Sequence, residues 1–237
     1  MRSQIAHAYP DRVEVRGRDL TGELMGRMTF TEFFHLLLTG REPTEDERFF
    51  LDLLLIAIAE HGLMPSNVAA RMTLAADPDS VQGAVAAGIL GAGTVILGAS
   101  AECARLLEDA RAHGAREAVE RIKAAGRRVP GFGHPVHRPT DPRAERILEL
   151  ADERGVSGEN VRLARELHAA VGTKLPMNVA LPIAAVLGDL GYPPVTAKAV
   201  PVLARTASLL AHLAEEQREP IGFGMASAAE EAVEYER

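Results

Sequence analysis

A chain of 237 residues is long enough to bury one sizeable core. Its formal charge of −7 argues against a general nucleic-acid surface, while leaving room for a local basic pocket. With 47% hydrophobic but only 4% aromatic residues and no Trp, the core must be built of Ala, Leu, Val and Ile, which suits close-packed helices better than a β-sandwich. The single cysteine, Cys103, excludes a disulfide framework and a Cys-based zinc site. The opening MRSQIAHAYPDRVEVRGRDL lacks the apolar stretch of a signal peptide, so the expected location is cytoplasmic.

In chain order, residues 12–20 make one short strand and a turn. Residues 29–40 read as a helix stopped by Gly40. Residues 44–62 open with a capping box, in which Thr44 bonds the amide at Glu47 and Glu47 reaches back. Pro65 opens the next helix and Pro78 breaks it. Residues 81–101 carry no formal charge and are long enough to span a bilayer. They are mostly Gly and Ala, however, whose transfer into lipid is only weakly favourable. Gly83, Gly88, Gly91, Gly93 and Gly98 suit helices whose backbones touch, so this stretch is expected as a helix or helix pair in the centre of the fold or at a subunit interface, not as a membrane span. Helices follow over 100–114 and 115–126. Asp141 is a natural N-cap with Pro142 in the first turn. Further helices are expected over 142–155, 158–171, 178–190, 195–214 and 224–234, with Pro201 kinking the 195–214 helix. The fold class is mostly α.

The one stretch unlike the rest is GFGHPVHRPTDPRAE, residues 131–145. His134 lies between a glycine that lets a ligand approach the backbone and a proline that holds the ring in place. An imidazole so held can polarise or protonate a carbonyl oxygen. Arg143, on the first helical turn, presents a guanidinium fork matched to a carboxylate. Arg127, Arg128 and Arg138 crowd the same region with enough positive charge to hold phosphates. The combination points to a ligand with phosphates at one end and carboxylates at the other. His134 and His137, three apart, raise the question of a metal. Pro135 interrupts the turn between them and no third ligand is evident nearby in sequence, so no metal is expected.

The stretch PGFGHPVHRPTDPRAE resembles the signature of the citrate synthase superfamily, a Gly-x-Gly-His followed seven residues later by Asp-Pro-Arg. AEHGLMPSNVAAR is similar to the family's earlier histidine segment, LPMNVALPIAAVLGDLGYPP to its Asn-Val-Asp segment, and LARTASLLAHLAEE to its Arg-containing helix near the C-terminus. In length the chain resembles the compact citryl-CoA lyases, which are similar to the C-terminal module of ATP-citrate lyase. The resemblance implies one mostly α-helical domain over 1–237 with a smaller lobe around 110–175. It implies a homodimer or higher homo-oligomer, a heteromer being the alternative, with substrate sites near the subunit contact. The ligands it implies are an acyl-CoA, with coenzyme A as carrier, and a small di- or tricarboxylate, with no metal. Position by position, it makes His134 the catalytic acid or base at the keto or hydroxyl oxygen, His61 a substrate-binding histidine, and Arg143 and Arg205 the carboxylate clamps. Arg138 would meet coenzyme A phosphate, and the turn through Gly131, Phe132 and Gly133 would lie along the adenine.

Two departures stand out. The family's Asn-Val segment continues with an aspartate that moves the acetyl proton; MNVALP carries Ala180 there, and a methyl group accepts no proton. The Gly-rich segment, where the family places a histidine or arginine near the enolate oxygen, reads GAGTVILGASAE, with Thr94 and Val95 and no such donor. Losing that donor removes an electrostatic contribution of roughly 3–4 kcal/mol, and losing the base a further ~10²–10⁴ in rate. Two functions follow. One is an enzyme making or cleaving a C–C bond between an acyl-CoA and a keto acid, with an altered enolate half-site. The other is a non-catalytic relative that binds CoA esters or di/tricarboxylates as a sensor or partner subunit.

Overall fold

Residues 1–172 and 174–236 are described by a computed structural model. The chain opens with a small antiparallel sheet of β1 (Ala6–Ala8), β2 (Val13–Val15) and β3 (Arg18–Asp19), in that order, with Ala6 opposite Val15 and Glu14 opposite Asp19. The single expected strand is therefore a hairpin with a third strand on its edge. Arg16 and Gly17, both at positive φ, form the tight turn joining β2 to β3. A π-helical turn, Leu20–Leu24, follows. It is capped by Asp19, which accepts hydrogen bonds from the amides of Thr21 (2.9 Å) and Gly22 (2.7 Å).

Helices make up most of the rest: α1 (Phe30–Thr39), α2 (Glu45–Ala59), α3 (Pro65–Ala76), α4 (Val81–Ile96), α5 (Ala99–His113), α6 (Ala115–Ala124), α7 (Pro142–Glu153), α8 (Glu159–Val171), α9 (Ala180–Asp189), α10 (Thr196–Arg218) and α11 (Gly222–Glu231). The local signals explain their ends. Thr44 and Glu47 form the expected capping box, and Thr29 and Glu32 form a second one at α1. Gly40 terminates α1 in the left-handed conformation, and Asp141 caps α7 with Pro142 in its first turn. α10 runs continuously through Pro201 and past residue 214.

α9 is the centre of the packing. Every residue from Ala180 to Leu187 is buried, as an uncharged run that is apolar all round requires, and α5, α7, α8 and α10 surround it. At its far end Asp189 accepts hydrogen bonds from the amides of Gly158, Asn160 and Val161 (2.8–3.0 Å), tying α9 to the N-terminus of α8. A second cluster forms where α3, α4 and α10 meet, around Ala70, Leu74, Ala84, Leu209 and Leu213. Gly88 makes this contact: a Cβ there would sit 2.7 Å from a Leu209 methyl and 3.0 Å from the Ser66 carbonyl.

The apolar 81–101 stretch becomes the whole of α4, interrupted near its end at Gly93 (φ 54°, ψ −157°), and the start of α5. By length and composition alone Val81–His113 is apolar enough to cross a membrane, and much of its apolar part is uncovered in the single chain. α4 packs on α3 and α10 through Ala84, Gly88 and Ala92, and leaves Leu90 and Val95 80% and 88% exposed. It is a core helix with one face uncovered.

A buried polar chain fastens α1 to α2. His35, fully buried, donates from Nδ1 to the Tyr192 hydroxyl (2.8 Å), which in turn donates to the Glu47 carbonyl (3.3 Å). Burial pushes the His35 pKa below its ordinary value; Glu47 pulls it back and Arg41 opposes that. Below about pH 6.5 the unfolded chain thus binds a proton that the folded chain resists, and stability falls as pH drops through and below that value. Thermal melts should show a lower midpoint at pH 5.5 than at pH 7.5, with a shallower slope in His35→Gln. A midpoint that rises on acidification contradicts the assignment.

Candidate active site

The site is assembled from five places: the turn after α2, the start of α3, the 130–140 loop, the α7 N-terminus and the middle of α10. The loop is held by its glycines. Gly131 (φ 85°) presses against Leu181 and Cys103, where a Cβ would lie 2.8 Å from Leu181 Cβ and 2.9 Å from Cys103 Sγ. The Gly131 carbonyl accepts from the Asn178 amide (2.9 Å), and the Gly133 amide donates to the Pro176 carbonyl (2.8 Å). Asn178 Nδ2 also donates to the Gly133 carbonyl (3.1 Å). Phe132 stacks on His168, with ring centroids 5.8 Å apart.

This anchoring fixes His134. Its Nδ1 accepts from the amides of Val136 (3.1 Å) and His137 (2.9 Å), so the neutral ring carries its proton on Nε2. Burial first, then His137, hold its pKa below the ordinary value, with Asp141 opposing them. Arg143 is gripped by Asp141, Nε to Oδ1 at 3.0 Å and Nη2 to Oδ2 at 2.8 Å. The Asp141 side chain is fully buried and also takes the amides of Arg143 and Val179. Burial raises its pKa, but the Arg143 bonds and charge outweigh that and keep it ionised. Arg143 Nη2 lies 3.5 Å from His134 Nε2. Both atoms are donors, so the pair is aimed at an acceptor that each can reach.

Arg205 is 2% exposed. Its Nη1 and Nη2 make two long bonds, 3.4 Å each, to Asn67 Oδ1 and the Ile58 carbonyl, and its Nε has no partner among the described residues. No carboxylate of the described residues lies within ion-pair distance of it. Burial lowers its pKa, Glu60 pulls the other way, and Arg143 adds to the lowering. Arg205 is thus a buried, under-bonded guanidinium that also feels the charge of Arg143, an arrangement an anion would relieve.

Glu60, the C-cap of α2, accepts from the amides of His61 (2.8 Å) and Gly62 (2.6 Å), from the Ser208 hydroxyl and from His212 Nε2 (3.0 Å). Burial pushes its pKa up, and the Ser208, His61 and Gly62 bonds bring it below its ordinary value. It is an ionised anchor, already fully engaged. Ser66 and Asn67 bond each other (3.0 Å), Asn178 is spent on the Gly133 carbonyl and the Ala180 amide, and Thr94 is exposed. Ala180 itself is buried at the first turn of α9. Val95 is exposed.

The structure thus brings His61, His134 and Arg143 together, with Arg205 close enough to feel Arg143. Arg138 is exposed and bonds no side chain of the described residues. Arg127 and Arg128 line a separate cavity of about 290 Å³ beside Pro130, with Arg105, Glu102 and Asp109. The sequence reading missed His137 as a neighbour of His61, Asp141 as the partner of Arg143, and Asn67 and Glu60 as the surroundings of Arg205. It also missed a third imidazole: His61, His134 and His137 offer nitrogens within 4.8 Å of one another. The spacing suits a metal but the hydrogen bonding does not. A metal-bound histidine normally donates from its other nitrogen, whereas His134 Nδ1 accepts twice, and Arg143 stands beside its Nε2.

The sequence matches the family described as citrate synthase, C-terminal domain, over residues 3–222. Putative citrate synthase 2 of Mycobacterium tuberculosis is 32% identical over 188 residues, 75% of this chain and 50% of that protein. A citrate synthase-like protein of Aspergillus oryzae is 30% identical over 221 residues, 86% of this chain and 49% of that protein. The chain spans about half the length of both relatives. Among solved structures, citryl-CoA lyase from Hydrogenobacter thermophilus superposes with a TM-score of 0.89 at 27% identity, covering 100% of this chain and 94% of that one. ATP citrate lyase from Methanothrix soehngenii, solved with citrate and coenzyme A, shares the fold at a TM-score of 0.81 and 22% identity, covering 92% of this chain and 39% of that one.

Proposed function

The chain belongs to the citrate synthase family, and from that premise we propose that it makes or cleaves a C–C bond between an acyl-CoA and a keto acid, as a citryl-CoA lyase-like protein. The observation that carries the proposal is the convergence of His134 Nε2–H and Arg143 with the buried, under-bonded Arg205. Arg143 and Arg205 hold the ligand's carboxylates. His134, neutral and with its proton on Nε2, donates to the keto oxygen where negative charge develops as the bond forms. His61 lines the same space. The Gly131–Phe132–Gly133 turn and Arg138 take the coenzyme A end, with Arg127 and Arg128 on the Pro130 side. The uncovered face of α4 packs against a second copy, giving a homodimer in the cytoplasm. Residues 1–237 act as one domain, with 110–175 as its smaller lobe.

A second reading, a non-catalytic binder of the same ligands, is favoured by one observation: Ala180 stands where the family has its acid, and the Glu60 carboxylate is already engaged by its own turn and by α10. One experiment separates the two. The protein is incubated with acetyl-CoA and oxaloacetate, and separately with citryl-CoA, and free thiol and keto acid are followed while calorimetry measures oxaloacetate binding. Turnover supports the enzyme, and binding without turnover the binder. In both cases Arg143→Ala should weaken oxaloacetate by roughly 10- to 150-fold, the worth of charge-assisted bonds of ~1.5–3 kcal/mol. Unchanged affinity in that variant removes Arg143 from the site.

A further inference from the structure

His137 has no part in the reading above, yet its Nε2 lies 3.1 Å from His61 Nε2, with the rings nearly perpendicular at 88°. Its own ring stacks on His134, centroids 4.3 Å apart. Two imidazole nitrogens at that distance attract only when one of them carries a hydrogen. Two lone pairs repel, and so do two N–H groups. The pair therefore exists as N–H···N, either uncharged or with one extra proton, and this geometry admits no second one.

The surrounding charges determine when that extra proton is held. Arg143, from α7, is matched by Asp141; Arg205, from α10, is faced by Glu60; and His134, on the same loop, is neutral. The Arg143 charge is thus offset at contact distance before any ligand arrives, while Arg205 feels Glu60 only from beyond ion-pair distance. Burial first, then Arg143 and His137, hold His61 below its ordinary pKa, while Asp141 pulls the other way. A ligand with two or more carboxylates brings more negative charge than Arg205, the guanidinium there with no ion-pair partner among the described residues, balances. The imidazole pair is the group there that can add positive charge without moving.

Resting on the proposed reading of this site, we infer that the His61–His137 pair takes up one proton from solvent when a multiply charged carboxylate ligand binds between Arg143 and Arg205. Binding and protonation then favour each other reciprocally, and affinity rises as pH falls, by up to about tenfold per pH unit.

The test is calorimetric titration of oxaloacetate, whose carboxylates are fully ionised at pH 7, in phosphate, HEPES and Tris. The dependence of the observed heat on buffer ionisation enthalpy gives the protons taken up. The wild-type chain should take up about one half to one proton. In His137→Gln, which keeps a polar group opposite His61 but cannot titrate, uptake should fall close to zero while oxaloacetate still binds. Histidine nitrogen NMR of the ligand-free wild-type chain, which needs no variant, should show His61 and His137 titrating as a coupled pair. Oxaloacetate binding with no buffer dependence, uptake that survives in His137→Gln, or independent titrations overturn the inference and leave the site reading standing. No oxaloacetate binding in any buffer overturns the site reading, and this inference with it.

Discussion

Arg205→Met should leave the protein as stable as the wild type or more stable, while oxaloacetate affinity falls by roughly 10- to 150-fold. The two effects share one cause. Arg205 is buried at 2% exposure with two 3.4 Å bonds to neutral oxygens and an unpaired Nε, so the fold bears the desolvation of a guanidinium without a carboxylate to offset it. A methionine of similar length keeps the packing against α2 and α3 and removes that cost. A gain of 1 kcal/mol in a chain of this size raises the melting midpoint by roughly 2–4 °C. Glu60 loses a neighbouring charge but keeps its amide, hydroxyl and imidazole donors. Such opposed movement of stability and binding marks a residue kept for its ligand. A large loss of stability with affinity intact would show instead that Arg205 is a structural cation, and would take the second clamp out of the site.

The other large effect is expected from a gain. Ala180 sits in the first turn of α9, its amide bonded to Asn178 Oδ1 (3.1 Å), where the helix N-terminus favours a negative side chain. Ala180→Asp should therefore fold, and should install a carboxylate at the place where the family holds its proton-transfer acid. Exchange of the acetyl-CoA methyl hydrogens with deuterated water, in the presence of oxaloacetate, should rise by roughly 10²–10⁴-fold over the wild-type rate. That readout does not depend on completing the C–C bond, for which the enolate donor missing around Val95 is also needed. A folded Ala180→Asp protein with unchanged exchange would mean that the acyl end of the ligand does not approach the start of α9.

The helical character of the chain was legible because helix signals are local. Thr44 with Glu47, Asp141 with Pro142, and Gly40 each act within one turn of the residue that announces them. The spacing of His134, Asp141 and Arg143 was likewise readable in one stretch, and the family match over residues 3–222 agrees with it. The hairpin at residues 13–19 was only half seen, since its turn uses Arg16 at positive φ, which no turn rule favours. The line of the sequence alone ends there.

What tertiary structure decided is everything that depends on which distant groups share a space. The His134–His137 spacing looked unpromising because Pro135 forbids a helix, but it is the loop that turns both rings toward His61, far up the chain. Asp141 reads as a cap in the sequence; only its full burial against Arg143 shows it as the counter-charge of the site. Glu60 carries no mark of a role in the sequence and is an engaged anchor in space, because its donors come from α10 as well as its own turn. The exposure of α4 is of the same kind: composition sets how apolar a helix is, but only its neighbours set which face they leave uncovered. Capping and periodicity are settled over a few residues, where the chain's own geometry fixes the distances. Desolvation and hydrogen-bond satisfaction are settled between segments brought together by folding, and those control the protonation and the charge balance on which this site runs.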